Sequence, residues 1–229
     1  FDSAKKVSGK NIIVVCNKDN FDELKNILIG CKFVIQKNQR GTADAIEVAK
    51  QHIKTKNFII LFGDVPLITD QSLKKLIRSF KNNNSGSMIA FKTFKPKGYG
   101  RVILKNNKVI KVVEEINASP NEKLIEFCNS GIMLVQKSSF YKNIKLIKFN
   151  KKKKERYLTD IFEIYFNKNM PFSFVVSSED EMSGVNNLND FNKVDSLFQN
   201  RLVNKFLEQG VLIKKPETSY FSYNAKIAK

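Results

Sequence analysis

The segment Phe58-Ile59-Ile60-Leu61-Phe62-Gly63-Asp64-Val65-Pro66-Leu67 is an apolar run that ends on a single carboxylate and a proline. Such a run is typical of a buried parallel strand, and open α/β sheets bind ligands beyond the carboxyl ends of their strands. Gly63 would let a ligand approach the backbone closely, and Pro66 would end the strand. We therefore expect Asp64 to lie at a binding edge; a simple strand-ending turn is the alternative for this segment taken alone.

Strand-like runs alternate with helical patterns on both sides of this segment. The predicted strands cover residues 11–15, 32–35, 58–62, 88–94, 131–135 and 172–176. Apolar residues recur at helical spacing after Gly41-Thr42 and after Thr69-Asp70. The alternation predicts an α/β, Rossmann-like fold with a mixed, mostly parallel sheet flanked by helices.

Two segments depart from the alternation. In residues 101–114 two apolar runs flank Lys105-Asn106-Asn107-Lys108, which predicts a two-stranded hairpin that forms a small β flap beside the sheet. From Leu188 to Leu207 apolar residues recur at helical spacing, which predicts a long amphipathic helix that Gly210 ends.

The composition fits one sizeable core, because 42% of the 229 residues are hydrophobic. No apolar run approaches the roughly 18 residues of a membrane span, and no signal-like N-terminus is visible, so we expect no membrane partner. Cys16, Cys31 and Cys128 lack CxxC spacing and an even count, so they predict neither a metal cluster nor a disulfide framework. A reduced, cytoplasmic location is expected.

The net charge of +18 raises the possibility of a nucleic-acid ligand. The lysines are scattered along the chain, however, whereas a nucleic-acid footprint should be local. The one dense run, Lys151-Lys152-Lys153-Lys154, stands beside Glu155-Arg156 and is interpreted as a solvated loop. We expect no specific nucleic-acid partner.

Several short motifs occur in a fixed order along the chain. Alone, each is typical of a helix cap, a loop or a turn, but their order and spacing together are specific. They are Gln36, Arg40-Gly41-Thr42-Ala43-Asp44-Ala45, Gly63-Asp64, Gly98-Tyr99-Gly100-Arg101, Val113-Glu114, Cys128-Asn129-Ser130-Gly131 and Gly184-Val185-Asn186.

This set resembles the sugar-phosphate nucleotidyltransferase family, and most closely the uridylyltransferase domain of the bifunctional N-acetylglucosamine-1-phosphate uridyltransferase/glucosamine-1-phosphate acetyltransferases. The resemblance spans nearly the whole chain. It implies uridylyl transfer from UTP to N-acetylglucosamine 1-phosphate, giving UDP-N-acetylglucosamine and pyrophosphate for cell-wall and lipopolysaccharide precursors. It also implies Mg²⁺ as cofactor, which suits hard oxygen ligands.

The resemblance assigns roles residue by residue. It implies that Asp64 and Asn186 bind Mg²⁺ and are the catalytic residues, and that Gln36 reads uracil together with the turn after it. The residues implied at the substrate sites are Gln36, Gly41, Thr42, Phe62, Gly63, Asp64, Gly100, Glu114, Asn129, Thr159 and Asn186.

The resemblance also implies a domain division: a nucleotidyltransferase domain in residues 1–186, a linker helix in 187–210 and the start of a left-handed β-helix in 211–229. In the family that β-helix carries acetyl transfer and holds a homotrimer together. The family's Gly-rich triphosphate loop would precede Phe1. We therefore expect a fragment, truncated at both ends and a poor catalyst alone.

Three positions depart from the family pattern and bear on fine substrate preference. Asp44 stands where close relatives more often have His, Ile116 where Lys is frequent, and Phe62 where Tyr is common. Two other hypotheses remain: a nucleotidyltransferase for a different base or sugar phosphate, and a non-catalytic binding or regulatory module.

Overall fold

The computed structural model describes residues 1–38, 40–80, 86–150 and 155–227. The helices are α1 (Asp2–Ser8), α2 (Phe21–Ile27), α3 (Thr42–Ala49), α4 (Asp70–Ser79), α5 (Pro120–Lys123), α6 (Lys137–Asn143), α7 (Asp160–Phe166) and α8 (Leu188–Glu208). The strands are β1 (Ile13–Cys16), β2 (Lys32–Ile35), β3 (Asn57–Ile60), β4 (Gly86–Lys92), β5 (Arg101–Lys105), β6 (Lys108–Val113), β7 (Phe127–Gln136) and β8 (Ser173–Ser177). Every strand predicted from the sequence is present, with ends shifted by a few residues.

The strands form two sheets. Strands β1 and β2 pair in parallel, and the larger sheet has the order β6-β5-β7-β4-β8, with β3 also paired to β7. Strand β7 is therefore the centre of the larger sheet. One of its edges follows β4 from Lys92↔Phe127 to Gly86↔Val135. Its other edge pairs with β5 at Arg101↔Cys128 and then with β3 from Ile60↔Met133 onward.

The mixed α/β fold predicted from the sequence is confirmed, but the pairings among the described strands are mostly antiparallel. Only β1 with β2 and β4 with β8 pair in parallel. Strand β7 runs antiparallel to β3, β4 and β5. The physical reason is the hairpin: β5 and β6 reverse the chain, so that β7 enters the sheet against the direction of the strands beside it.

The predicted hairpin exists, with β5 and β6 paired from Arg101↔Val113 to Lys105↔Lys108. It does not stand apart as a flap, since Arg101 pairs with Cys128 and makes the hairpin part of the larger sheet. Asn106 and Asn107 have φ of 51° and 57°, a conformation that Asn tolerates in tight hairpin turns.

The chain forms two compact units. The first contains Phe1–Phe62 and Ile68–Ser178, and the second contains Gly63–Leu67 and Glu179–Lys229. In the first, an apolar core packs between the larger sheet and helices α3, α6 and α7, with fully buried rings at Phe140, Phe162 and Phe172. The domain boundaries expected at residues 186 and 210 stay predictions.

Helix α8 fulfils the pattern predicted for residues 188–207. Its N-cap is Asn187, whose side chain accepts a hydrogen bond from Asp190 N at 3.0 Å. Gly210, with φ of +84°, follows the last turn. Residues Val194, Leu202 and Phe206 are buried along one face.

Two further predictions concern the lysine run at residues 151–154 and membrane-spanning segments. The run Lys151-Lys152-Lys153-Lys154 lies outside the described residues, so its interpretation as a solvated loop stays a prediction. Among the helices that the structure describes, none combines the length and the apolar character needed to cross a bilayer.

The buried hydroxyl of Ser130 stabilises an irregular stretch of β7, the central strand of the larger sheet. The β4–β7 register shifts between Met88 and Ala90. There Ser130 Oγ donates to Ile89 O at 2.7 Å and accepts from Ile132 N at 3.1 Å. Ser130 thus replaces two ladder contacts that the bulge removes.

We predict that Ser130→Ala lowers the free energy of unfolding by about 1–3 kcal/mol, because a buried carbonyl and a buried N–H would lose their partner. Urea unfolding followed by circular dichroism measures this loss. The control is Ser196→Ala, which removes an exposed hydroxyl bonded to Asn192 O and should change stability by less than about 0.5 kcal/mol. Equal effects of the two substitutions would contradict the role given to Ser130.

Candidate active site

The candidate site begins where β7 changes partner. Between Cys128, which faces β5, and Met133, which faces β3, the backbone of β7 is free to leave the regular ladder. Asn129 N donates to Gly100 O at 2.8 Å, which continues the contact with the segment before β5. Gly131 has φ of +79°, and a Cβ there would lie 2.6 Å from the Phe62 ring. Only glycine allows Phe62, just past the end of β3, to pack so closely on β7.

A carboxylate faces this break from the end of β6. Glu114 Oε1 accepts a hydrogen bond from Thr159 Oγ1 at 2.6 Å. A Cβ at Gly100 would lie 3.7 Å from Glu114 Oε2 and 3.7 Å from Asn129 Cβ. Glu114 and Asn129 are therefore neighbours at Gly100, and the approach that requires glycine there is that of Val112 Cγ1, which would lie 2.9 Å from a Cβ.

The orientation of the Asn129 amide is fixed by the chain itself. Asn129 Oδ1 accepts from Gly131 N at 3.0 Å, which leaves the NH₂ as the end directed away from that turn. Carboxylate oxygens at Glu114 and an amide donor at Asn129 offer complementary partners to a ligand that both donates and accepts hydrogen bonds.

Tyr157 adds a neutral hydroxyl beside these acidic groups. Desolvation, and after it Glu155, Glu114 and Asp160, raise the pKa of Tyr157 to about 12. The phenol therefore keeps its proton at neutral pH and remains a hydrogen-bond donor or acceptor rather than a charge.

A buried arginine that the sequence analysis left without a role fixes the glycine loop of the site. Arg101, 1% exposed, donates to Glu115 Oε2 at 2.6 Å and to Tyr99 O. The same carboxylate oxygen accepts from Gly98 N at 3.3 Å, and the hydrogen bond from Arg101 lowers the pKa of Glu115. The loop that carries Gly100 is thus tied to the residue that follows Glu114. The sequence offered no sign of this, because burial of Arg101 depends on strand pairing.

The turn before α3 is the second part of the site. Gln36 Nε2 lies 3.4 Å from Gly41 O, and Thr42 begins α3. Gly41 has φ of +99°, and a Cβ there would lie 2.8 Å from Arg156 O and 2.9 Å from Arg156 N. The turn therefore packs tightly against the backbone of Arg156, which lies three residues before Thr159 in the chain.

The two residues expected to bind a metal lie together in the second compact unit. Val185 N donates to Asp64 O at 2.8 Å, and a Cβ at Gly184 would lie 3.7 Å from Asp64 O and 3.8 Å from Asn186 Nδ2. Asp64 and Asn186 are both exposed. Asn186 N donates to Asp190 Oδ2 at 3.0 Å, which anchors its backbone to the first turn of α8.

The donors of this pair suit a hard divalent cation that keeps most of its ligands from elsewhere. A carboxylate and an amide carbonyl are oxygen donors, and Mg²⁺ is commonly bound by one or two protein ligands plus phosphates and water. Within the described ranges there is no group of three or more His, Cys, Asp or Glu side chains that would hold a metal by protein ligands alone. The residues present therefore fit Mg²⁺ bound jointly with a phosphate ligand.

The structure distributes the expected site residues over the two units. In the first, contacts connect Phe62, Gly131, Asn129, Gly100, Glu114 and Thr159, and separately Gln36 with Gly41. Gly63, Asp64 and Asn186 belong to the second. Gly63 is exposed, and a Cβ there would meet no atom within 4 Å.

Comparison with known proteins identifies relatives of this chain. The family described as nucleotidyl transferase matches residues 3–200. The bifunctional protein GlmU of Bartonella bacilliformis is 37% identical over 84% of this chain and 43% of its own length. GlmU of Buchnera aphidicola subsp. Acyrthosiphon pisum is 34% identical over 96% of this chain and 48% of its own length. The chain thus spans about half the length of these curated relatives.

Solved structures share the fold at low sequence identity. A putative glucose-1-phosphate thymidylyltransferase from Bacillus anthracis superposes with a TM-score of 0.60 at 16% identity, covering 77% of this chain and 71% of that one. The inositol-1-phosphate CTP transferase from T. maritima gives 0.59 at 14% identity, covering 77% and 70%. These similarities support the fold alone.

We predict that Gly41→Ala destabilises the protein by clearly more than Gly30→Ala. Both glycines have positive φ, and a Cβ at Gly30 would meet nothing within 4 Å, so Gly30→Ala measures backbone strain alone, of about 1–3 kcal/mol. At Gly41 the collision with the Arg156 backbone adds to this strain. Urea unfolding of the two variants gives the comparison. Equal losses would mean that the turn does not press on residue 156.

Proposed function

This chain belongs to the nucleotidyl transferase family, and we propose that it transfers a uridylyl group from UTP to N-acetylglucosamine 1-phosphate. The observation that carries the proposal is the pairing of the Glu114 carboxylate, oriented by Thr159, with the Asn129 side chain beside Gly100. A carboxylate acceptor and an amide donor there match the hydroxyl and acetamido groups of an N-acetylated sugar. The similarity to the GlmU proteins and the match to the nucleotidyl transferase family support the coarser assignment, nucleotidyl transfer to a sugar phosphate.

The chemistry needs no histidine or other base. A sugar phosphate is already an anionic nucleophile, so its phosphate oxygen attacks the α-phosphorus of UTP while the bond to pyrophosphate breaks. Catalysis of this kind depends on positioning and on offsetting charge. Mg²⁺, when bound, would offset negative charge on the phosphates.

The chain's own residues would hold the two substrates. Gln36 and the backbone at Gly41 would read the uracil, and Glu114, with its oxygen oriented by Thr159, would accept sugar hydroxyls. Asp64 and Asn186 would hold Mg²⁺ through oxygen atoms. A site that hydrogen-bonds its substrate discriminates against analogues that lack the partner, because its own polar groups would be left unpaired.

A second part of the proposal follows the curated relatives, of whose length this chain spans about half. We propose that residues 187–210 link the nucleotidyltransferase domain to a left-handed β-helix that starts within 211–229. That β-helix would carry glucosamine-1-phosphate acetyl transfer and hold a homotrimer. The product, UDP-N-acetylglucosamine, would serve cell-envelope polysaccharide synthesis in the cytoplasm.

The test is pyrophosphate release by the full-length protein from UTP and N-acetylglucosamine 1-phosphate with Mg²⁺. Activity with UTP that exceeds activity with dTTP, GTP and CTP is expected. A folded protein that releases pyrophosphate only from another triphosphate or with another sugar phosphate would overturn the proposed substrates. Absence of activity with all of them would overturn the proposed reaction.

In the same assay Asp64→Asn should lower kcat about 10²–10³-fold, the scale of losing one key electrostatic group at a reacting phosphate or carbonyl. The matched control is Asp70→Asn, which removes the carboxylate paired with Lys74 at 2.7 Å on α4 and should leave kcat unchanged. Full turnover by Asp64→Asn would refute the metal role of Asp64.

A further inference from the structure

A second arginine joins segments that the sequence keeps more than a hundred residues apart. The Arg156 guanidinium donates to Asp44 Oδ1 at 2.8 Å and to Glu47 Oε2, both on α3. It also donates to Ile147 O at 3.3 Å and to Ile144 O. The side chain of Arg156 is 15% exposed, and those of Asp44 and Glu47 are 21% and 33% exposed.

The backbone of Arg156 reaches the turn that precedes α3. Arg156 N donates to Arg40 O at 3.0 Å, and the peptide units around Arg156 are the atoms that a Cβ at Gly41 would strike. Arg156 therefore contacts the turn with its main chain and the first two turns of α3 with its side chain. The main-chain contact needs no particular side chain, but binding both carboxylates does, since the planar guanidinium donates in several fixed directions at once.

The carboxylates bound by Arg156 also border the place where Gln36 lies. A cavity of about 420 Å³ is lined by residues that include Gln36, Arg40, Asp44 and Glu47. Lys37 and Arg40 lie in the same lining, but Arg156 pairs directly with both carboxylates, which would otherwise add repulsion toward a polyanionic ligand. Burial acts to lower the pKa of Arg156, yet its hydrogen bonds to Glu47 and Asp44 hold that pKa above its ordinary value, so the guanidinium stays charged.

We propose that Arg156 is a positioning residue for the nucleoside triphosphate: it holds the Gly41 turn in place and neutralises Asp44 and Glu47 beside it. This inference rests on the proposed function, since it takes Gln36 and Gly41 as the nucleotide-reading residues. Arg156 would contact no substrate itself and would act through the Gly41 turn and through Asp44 and Glu47.

The experiment measures UTP binding to the full-length protein by calorimetry with Mg²⁺, together with KM for N-acetylglucosamine 1-phosphate. Arg156→Gln should raise the Kd of UTP by about tenfold or more, within the usual range of couplings between sites. The KM of the sugar phosphate should change by less than about twofold. Removing both carboxylates as well, in Arg156→Gln/Asp44→Asn/Glu47→Gln, should restore most of the UTP affinity.

Two further variants keep the test decisive. Arg156→Lys keeps a cation without the planar set of donors and should give an intermediate UTP affinity, which also serves if Arg156→Gln does not fold. Lys74→Gln removes another ion pair, with Asp70 on α4, and should leave both substrates unaffected.

The outcomes separate the inference from the function on which it rests. Unchanged UTP affinity in a folded Arg156→Gln protein, equal losses for both substrates, or no recovery in the triple variant would overturn the role of Arg156. Failure of the unsubstituted protein to bind UTP would instead overturn the proposed function.

Discussion

Strand β7 cannot pair with β5 and β3 at the same residues, and the part of the candidate site around Asn129 and Gly131 follows from this constraint. Its edge faces β5 at Cys128 and β3 from Met133. Between them the backbone departs from a regular ladder, with a register shift opposite and positive φ at Gly131. Asn129 lies within this break, next to Gly100 and close to Glu114 at the end of β6. Ser130 satisfies the polar backbone groups that the break would otherwise leave unpaired.

Close backbone approaches, rather than long side chains, give the site its shape. Gly131 admits the Phe62 ring, Gly100 lets its loop lie against Val112, and Gly41 lets its turn lie against Arg156. Each of these contacts would be blocked by a single methyl group. Two arginines then fix the parts that the glycines bring close: Arg101 ties the Gly100 loop to Glu115, and Arg156 ties α3 to its turn. Both arginines thus act in positioning, and Asp64 and Asn186, the proposed Mg²⁺ ligands, are exposed.

Local sequence patterns were sufficient to predict part of this structure. The alternation of strand and helix, the hairpin at Asn106-Asn107, and the length of α8 all depend on neighbours along the chain, and all were predicted. Antiparallel insertion of β7 was not predictable, because it depends on pairing between segments far apart in sequence. For the same reason Asp44 could be interpreted only as a departure from the family pattern. Its partner Arg156 lies 112 residues away, and only the fold brings the two charges to 2.8 Å.

We propose that a sugar nucleotide binds at the break in β7. Hydrogen–deuterium exchange of the full-length protein, with and without UDP-N-acetylglucosamine and Mg²⁺, tests it most directly. We expect slower exchange in peptides that cover residues 98–101, 127–133 and 155–160, with little change in α4. Slower exchange confined to other segments, with these three peptides unchanged at saturating ligand, would contradict it.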